Sequence, residues 1–262
     1  MDSIYLKIAG FVIKLELKGY KGGKPVQDFF KKILSKYLAG FVINSSKVED
    51  YCIEIIEKPH FEFLFEINLD KNYLFLYESI SPKRIRTFYY ISYQQIQIII
   101  RSICQKLLVK NKGLMVHASA SLIDGKAYIF LGQSGAGKST IVKILSAKYH
   151  PLADDMLIVK LEDGKPYLYQ VPFVERNFIQ NKNLERYEIG GFYFLQKSLI
   201  QKQELVENKE EIIQRFIEQL FSEEEDKTMQ IDSLFELISI FNNFNYLYFS
   251  LKRQKELMEL IK

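Results

Sequence analysis

The sequence predicts an α/β protein, α+β overall, and two observations carry this prediction. A glycine-rich loop at residues 132–140 stands between an apolar run at 127–131 and apolar residues at helical spacing from Ile141 onward. Before it, residues 1–85 alternate apolar and polar side chains in patches, which is typical of half-buried strands. With 262 residues, 48% of them apolar, the chain is long enough for one large domain or two small ones.

The loop 132–140 has the sequence GQSGAGKST and is a P-loop, the phosphate-binding turn between a strand and a helix. Its glycines let backbone N–H groups and the helix N-terminus point at a phosphate chain. The lysine is expected to reach the terminal phosphates of ATP, and the following serine is expected to hold Mg²⁺. The residues that the motif assigns to nucleotide binding are Gly132, Ser134, Gly135, Ala136, Gly137, Lys138, Ser139 and Thr140.

A histidine and a pair of carboxylates flank the loop. His117 lies in an apolar segment upstream, and Asp154 and Asp155 stand at the start of a predicted strand, 152–159. Phosphoryl transfer needs a metal ligand and a group that accepts the proton of the attacking hydroxyl. Because neighbouring residues of a strand point to opposite faces, the two carboxylates receive different roles. Asp154 is assigned as the base, and Asp155, with Ser139, as the metal ligand.

Together these residues resemble the kinase domain of HPr kinase/phosphorylase, which belongs to the phosphoenolpyruvate-carboxykinase-like P-loop group. The resemblance is carried by His117, by Ser134 ahead of the second loop glycine, by the Asp154-Asp155 pair, and by the 21 positions (138 − 117) from the histidine to the loop lysine. It implies a P-loop kinase domain with a mixed sheet. It also implies that His117 lies near the γ-phosphate; a histidine buried in the core is the alternative.

The later segment 189–196 is similar to that of shorter HPr-kinase-related proteins, some of which phosphorylate a serine of a precursor peptide. The resemblance extends over about residues 90–250. Two positions depart from the bifunctional family: Thr140 stands where glutamate commonly follows Lys-Ser, and Gly190 stands where an arginine precedes a glycine. These departures argue against phosphorylase activity and leave the acceptor open.

The leading hypothesis is a Mg²⁺-dependent kinase that transfers the γ-phosphoryl group of ATP to a hydroxyl, on a serine of a peptide or small protein such as a ribosomal-peptide precursor. An HPr(Ser) kinase and a kinase of free serine or a similar small molecule are alternatives within the same chemistry. A nucleotide-binding regulatory module without turnover is the alternative of another class. An ABC-type transport ATPase is disfavoured, because no segment resembles Leu-Ser-Gly-Gly-Gln.

The chain is predicted to divide into two regions. Residues 1–88 are expected to form a small, mainly antiparallel β-rich region that helps to recognise the substrate, and residues 89–262 the P-loop kinase domain. Helical spacing of apolar residues predicts helices at 28–38 and 92–110, and strict alternation at 61–67 predicts a strand.

Two arginines are candidates for contact with phosphate or substrate. Arg176 and Arg186 belong to a polar loop that runs to Tyr187, and loops of that length are often functional. A solvated position on the protein surface is the alternative for each of them.

Composition and charge exclude several classes of function. The net charge of +4 is spread along the chain, so nucleic-acid binding is not expected. No run approaches 18 apolar residues and the N-terminus lacks the features of a signal peptide, which predicts no membrane association and a cytoplasmic location. Cys52 and Cys104 are far apart and predict neither a disulfide framework nor a zinc site. The oligomeric state stays open.

Overall fold

The computed structural model describes residues 2–19, 24–57, 67–68, 73–74, 77–89, 91–173, 179, 181–221, 227–250 and 254–261. The chain divides into two compact units, Met1–Cys104 and Gln105–Lys262. The predicted boundary at 88/89 precedes a long helix, whereas the compact units divide near that helix's C-terminal end. None of the helices that the model describes combines the length and the apolar character needed to cross a lipid bilayer.

A six-stranded sheet is the body of the first unit. The unit contains β1 (Asp2–Ile8), β2 (Phe11–Leu17), α1 (Lys24–Tyr37), β3 (Val42–Ile43), β4 (Tyr51–Ile56), β5 (Ile67–Asn68), β6 (Tyr73–Leu74), β7 (Glu78–Ser81) and β8 (Arg84–Phe88). The sheet has the order β3-β1-β2-β4-β8-β7, and β5 pairs with β6 separately. In the sheet, β3–β1, β1–β2 and β8–β7 are antiparallel, whereas β2–β4 and β4–β8 are parallel.

This sheet confirms the predicted β-rich, mainly antiparallel N-terminal region. The helix predicted at 28–38 is α1, which begins four residues earlier at Lys24. Of the strand predicted at 61–67, residues 61–66 lie outside the part of the chain that the model describes, and Ile67 begins the short strand β5.

The helix predicted at 92–110 is α2 (Tyr93–Val109). It begins with a capping box, in which the Ser92 hydroxyl accepts a hydrogen bond from the Gln95 N–H at 3.2 Å and the Gln95 side chain accepts one from the Ser92 N–H at 2.7 Å. These two bonds satisfy backbone donors that a helix start otherwise leaves without partners. The start of α2 is therefore determined locally, by residues that the sequence shows.

A nine-stranded mixed sheet is the body of the second unit. Its elements are β9 (Gly113–Val116), β10 (Ser119–Ile123), β11 (Lys126–Leu131), α3 (Lys138–Leu145), β12 (His150–Ala153), β13 (Leu157–Glu162), β14 (Lys165–Tyr169), β15 (Arg186–Lys197), β16 (Lys202–Leu205), α4 (Lys209–Ile217), α5 (Lys227–Ile240), β17 (Phe244–Phe249) and α6 (Gln254–Leu260). Seven strands follow the order β12-β10-β11-β15-β14-β13-β9; β17 also pairs with β15, and β16 pairs with β17. The predicted mixed sheet around a P-loop is confirmed.

The 12-residue strand β15 is the centre of this sheet. One edge pairs in parallel with β11. Along the other edge, residues 186–188 pair antiparallel with β14 and residues 192–197 pair in parallel with β17. Apolar clusters cover both faces of the sheet, so its central strands have the near-continuous apolar sequence of strands buried on both sides.

Two tight hairpins join neighbouring strands of this unit. Asp124 and Gly125 connect β10 to β11 with φ angles of 48° and 81°, and Asp163 and Gly164 connect β13 to β14 with 51° and 74°. Positive φ at both central residues is the requirement of a type I′ turn, which Asp-Gly satisfies. The Asp-Gly dipeptide is thus a local sequence signal for each of these hairpins.

We expect substitution of a phenylalanine at the centre of the core to destabilise the protein more than substitution of a phenylalanine on its surface. Phe192 of β15 is fully buried, stacks on Phe244 at a centroid distance of 5.1 Å, and meets Phe216 edge-on at 5.3 Å. We expect Phe192→Ala to lower the free energy of unfolding by about 3–5 kcal/mol, because it leaves a cavity that close-packed neighbours cannot fill. The matched control is Phe235→Ala on α5, where the ring is half exposed and the expected change is within about 0.5 kcal/mol. Urea denaturation measures both; equal losses would contradict the assignment of Phe192 to the core centre.

Candidate functional site

The P-loop leaves β11 and enters α3 through three glycines with positive φ. The φ angles are 156° at Gly132, 81° at Gly135 and 107° at Gly137. Gly137 is the N-cap of α3, and no side chain caps the helix there. The first N–H groups of α3 are thus available to an anion, and the sequence, the backbone and the helix dipole agree on phosphate binding.

Lys138 folds back over this loop. Its side chain is buried, and its ammonium group donates a hydrogen bond to the Gly132 carbonyl at 2.5 Å.

Ser139 follows in the first turn of α3 and is partly exposed. The hydroxyl of Ser139 and the carboxylate of Asp155 are oxygen donors, the type that Mg²⁺ prefers, and Mg²⁺ is commonly held by one or two such groups together with substrate phosphates. The described residues contain no cluster of three or more His, Cys, Asp or Glu side chains that would hold a metal by themselves.

A cavity of about 390 Å³ opens beside the loop. It is lined by residues 132–136 of the loop, by residues 194–197 at the end of β15, and by Arg215, Glu218 and Gln219 at the end of α4. Its size lies in the range of small-molecule sites. The predicted nucleotide-binding loop therefore faces a cavity, and two of the cavity's three walls come from segments far along the chain.

The two carboxylates lie in different environments. The strand β12 ends at Ala153 and β13 begins at Leu157, so Asp154 and Asp155 stand in the connection and not at the start of a strand. Asp154 is buried, with 3% of its surface exposed. The Ser119 hydroxyl donates to the backbone carbonyl of Asp154 at 2.8 Å and lies 3.3 Å from Oδ1 of its carboxylate. The side chain of Asp155 is 51% exposed, and its Oδ1 lies 3.1 Å from Nε2 of His117.

His117 also lies outside regular strand structure. It follows the end of β9, its N–H donates to the carbonyl of Gln219 at 2.7 Å, and its ring lies 5.9 Å from the ring of Phe221. The imidazole is partly exposed beside Asp155, which agrees with a position in the site and not with the alternative of a fully buried core histidine. The fold thus brings His117 together with Asp155.

The end of α4 connects the loop to the histidine. The side chain of Gln133 in the loop lies 3.4 Å from the Glu218 carboxylate, and the next residue, Gln219, accepts the backbone hydrogen bond from His117. The spacing of apolar residues in 209–221 predicts an amphipathic helix and gives no sign of a place in the site. Apolar periodicity predicts that one face of α4 is buried, but it does not predict which segment covers that face.

Arg186 is not brought to the cavity. It begins β15, ion-pairs with Glu162 at 2.7 Å and stacks over the ring of Tyr167 at 4.4 Å. Lys197, at the other end of the same strand, lines the cavity, and the eleven steps from Arg186 to Lys197 span about 36 Å in an extended strand. Arg176 lies outside the residues that the model describes.

The comparisons with known proteins agree on the P-loop. The family model of the ABC transporter matches residues 116–252, just over half of the chain. The chain belongs to this family of P-loop ATP-binding domains. The matched span begins at the end of β9 and contains the loop, the carboxylate pair and α4. It does not contain a segment that resembles Leu-Ser-Gly-Gly-Gln.

Among curated proteins, HPr kinase/phosphorylase from Mycoplasmopsis pulmonis is 25% identical over 198 residues, which cover 75% of this chain and 58% of that protein. The chain therefore spans little more than half the length of this relative. A ribose import ATP-binding protein from Rubrobacter xylanophilus is 44% identical over 45 residues, 17% of this chain and 8% of that protein. The solved HPr(Ser) kinase/phosphatase from Coxiella burnetii has a TM-score of 0.34 and 12% identity, over 56% of this chain and 93% of that one.

The similarity to HPr kinase/phosphorylase among curated proteins agrees with the resemblance found in the sequence. The chain is a P-loop protein with an ATP-binding loop, and over three quarters of its length it is similar to HPr kinase/phosphorylase. The likeness to HPr kinase extends over three quarters of the chain, whereas the likeness to the ribose import protein covers about a sixth of it.

The loop geometry predicts unequal costs for two glycine substitutions. A Cβ at Gly137 would lie 2.5 Å from Cζ of Phe249, whose ring is buried, whereas a Cβ at Gly135 would meet nothing within 4 Å. Both positions have positive φ, which costs a non-glycine residue about 1–2 kcal/mol. We expect Gly135→Ala to lower the free energy of unfolding by about that amount and Gly137→Ala to lower it further, because the close contact adds to the strain. Thermal and urea denaturation compare the two variants, and equal losses would contradict the close approach of Phe249.

Proposed function

We propose that the chain is an ATP- and Mg²⁺-dependent kinase that transfers the γ-phosphoryl group to a hydroxyl, on a serine of a peptide or small protein. The observation that carries this proposal is the connection of the phosphate-binding loop, through the end of α4, with the His117–Asp155 pair. A loop alone accounts for nucleotide binding. The carboxylates of Asp154 and Asp155 and the imidazole of His117 add the groups that phosphoryl transfer to a hydroxyl requires.

Each residue has a role that follows from its chemistry. Lys138 and the loop N–H groups would hold the β- and γ-phosphates. Ser139 and Asp155 would hold Mg²⁺, which neutralises phosphate charge when it is bound. Asp154 is the proposed base, and its carboxylate would have to exchange the contact with Ser119 for one with the acceptor hydroxyl. His117 would orient Asp155 and lie near the transferred group.

A protein or peptide acceptor is supported by the curated relative, whose name describes a kinase of HPr. HPr itself and free serine are acceptors with the same chemistry, and direct assay separates them. A recognition role for residues 1–88 stays a prediction. The class of regulatory modules without turnover is disfavoured by the carboxylates of Asp154 and Asp155, because nucleotide binding alone needs no base.

The first experiment measures transfer of label from γ-labelled ATP, with Mg²⁺, to HPr, to serine-containing peptides and to free serine. We expect the native protein to label one of these classes. Lys138→Ala is expected to reduce transfer about 100-fold or more, because it removes a preorganised cation from the developing phosphate charge. Removal of Mg²⁺ with a chelator is expected to stop transfer. If ATP binds and none of the acceptors is labelled, the regulatory module replaces the kinase.

A second experiment separates the roles of the two carboxylates by titrating Mg²⁺. Asp155→Asn is expected to raise the Mg²⁺ concentration that gives half-maximal transfer, with part of the rate restored at high Mg²⁺, because a ligand is lost. Asp154→Asn is expected to lower the maximal rate by about 100-fold or more at every Mg²⁺ concentration, because a base is lost. The opposite pattern would exchange the two assignments.

A further inference from the structure

Arg215, in the last turn of α4, is a cation of the cavity that does not belong to the P-loop motif. It lines the same space of about 390 Å³ as the loop, and its side chain is 40% exposed. From this position we infer that Arg215 contacts the γ-phosphoryl group of bound ATP and stabilises it during transfer. The inference rests on the proposed function and adds a catalytic residue to it.

The guanidinium of Arg215 is held in place by side chains from two elements. Its Nε donates a hydrogen bond to the Tyr246 hydroxyl at 2.9 Å, and its Cζ lies 5.1 Å from the centre of that ring. The Tyr246 hydroxyl in turn donates to the carboxylate of Glu211, one turn earlier on α4, and this carboxylate lies 4.0 Å from the terminal nitrogen Nη2 of Arg215. These contacts fix the side chain through Nε and one side of the planar group.

This restraint suits a residue that must meet a phosphoryl group. Guanidinium N–H groups match phosphate oxygens in paired geometry, and an arginine that is already oriented loses less entropy when it binds. In the part of the chain that the structure describes, Lys197 is the other basic residue that lines the cavity. Its side chain is exposed, and its ammonium group is a point charge on a flexible stem. Among the described residues, Arg215 is thus the better candidate for contact with the transferred group.

The assigned role requires no covalent step at Arg215. In the transfer, the bond from the γ-phosphorus to the β–γ bridging oxygen breaks and a bond to the acceptor oxygen forms. The acceptor proton goes to the base, and ADP leaves with the bridging oxygen. Arg215 donates hydrogen bonds to the non-bridging γ-oxygens, where charge is spread in the transition state. Tyr246 and Glu211 are positioning residues, because they act only through the arginine.

Nucleotide affinity tests the contact without knowledge of the acceptor. We would measure the dissociation constants of ATP and ADP by calorimetry for the native protein and for Arg215→Gln. The ratio of ATP affinity to ADP affinity is expected to fall about 10- to 100-fold in Arg215→Gln, with ADP affinity unchanged, because only ATP carries the contacted group. Lys209→Gln removes a positive charge from the exposed first turn of the same helix and is expected to keep the native ratio.

Two further variants separate contact from folding. Arg215→Lys keeps the positive charge, and we expect its ratio of ATP affinity to ADP affinity to lie between those of the native protein and Arg215→Gln. This variant still tests the contact with the γ-phosphoryl group if Arg215→Gln does not fold. Tyr246→Phe keeps the ring and is expected to lower the ratio less than Arg215→Gln does. A native ratio in both arginine variants, or an equal loss of ATP and ADP affinity, would overturn the inference. If the native protein binds neither nucleotide, it is the proposed function that fails.

Discussion

The site depends on one long-range backbone pairing, between the segment that follows α4 and the end of β9. The carbonyl of Gln219 accepts from the N–H of His117, the N–H of Phe221 donates to the carbonyl of Met115, and Val116 and Leu220 form an isolated bridge between these bonds. Because buried backbone groups must be paired, this short pairing fixes where α4 ends. As a consequence, the last turn of α4 lines the cavity beside the P-loop.

The strand β15 supplies the rigid support on which this wall and the loop are placed. Its apolar residues lie at the centre of the core, and its last residues line the cavity. Its glycines have a packing reason. A Cβ at Gly190 would lie 2.7 Å from the ring of Tyr128, and a Cβ at Gly191 would lie 2.9 Å from the amide of Asn243. The ring of Tyr128 therefore leaves no room for a side chain at position 190, where the bifunctional family has an arginine and this chain has Gly190.

The chain is similar both to ABC transporter domains and to HPr kinase/phosphorylase, and both similarities include the ATP-binding loop. The residues around the loop are where such proteins differ. A transporter domain and a kinase share the strand, the loop and the helix, since phosphate binding makes the same demand on each. The surroundings here are a partly exposed histidine beside an accessible carboxylate, and a buried aspartate whose backbone carbonyl and carboxylate both contact a serine hydroxyl. These groups lie outside the loop, and their placement follows from the fold.

The features that depend on neighbouring residues follow from the sequence alone. The strand, loop and helix around Lys138, the Asp-Gly hairpins and the capping box of α2 all follow from side chains and backbone angles within a few positions of each other. The sequence also identified His117, Asp154 and Asp155 as candidates. Long-range packing, in contrast, buries Asp154 and sets Asp155 against His117. It also puts Arg186 at the far end of β15 and brings Arg215 to the cavity. The physical reason is that strand register and helix placement arise from backbone pairing and packing between distant segments, and one sequence carries no local signal of which segments will meet.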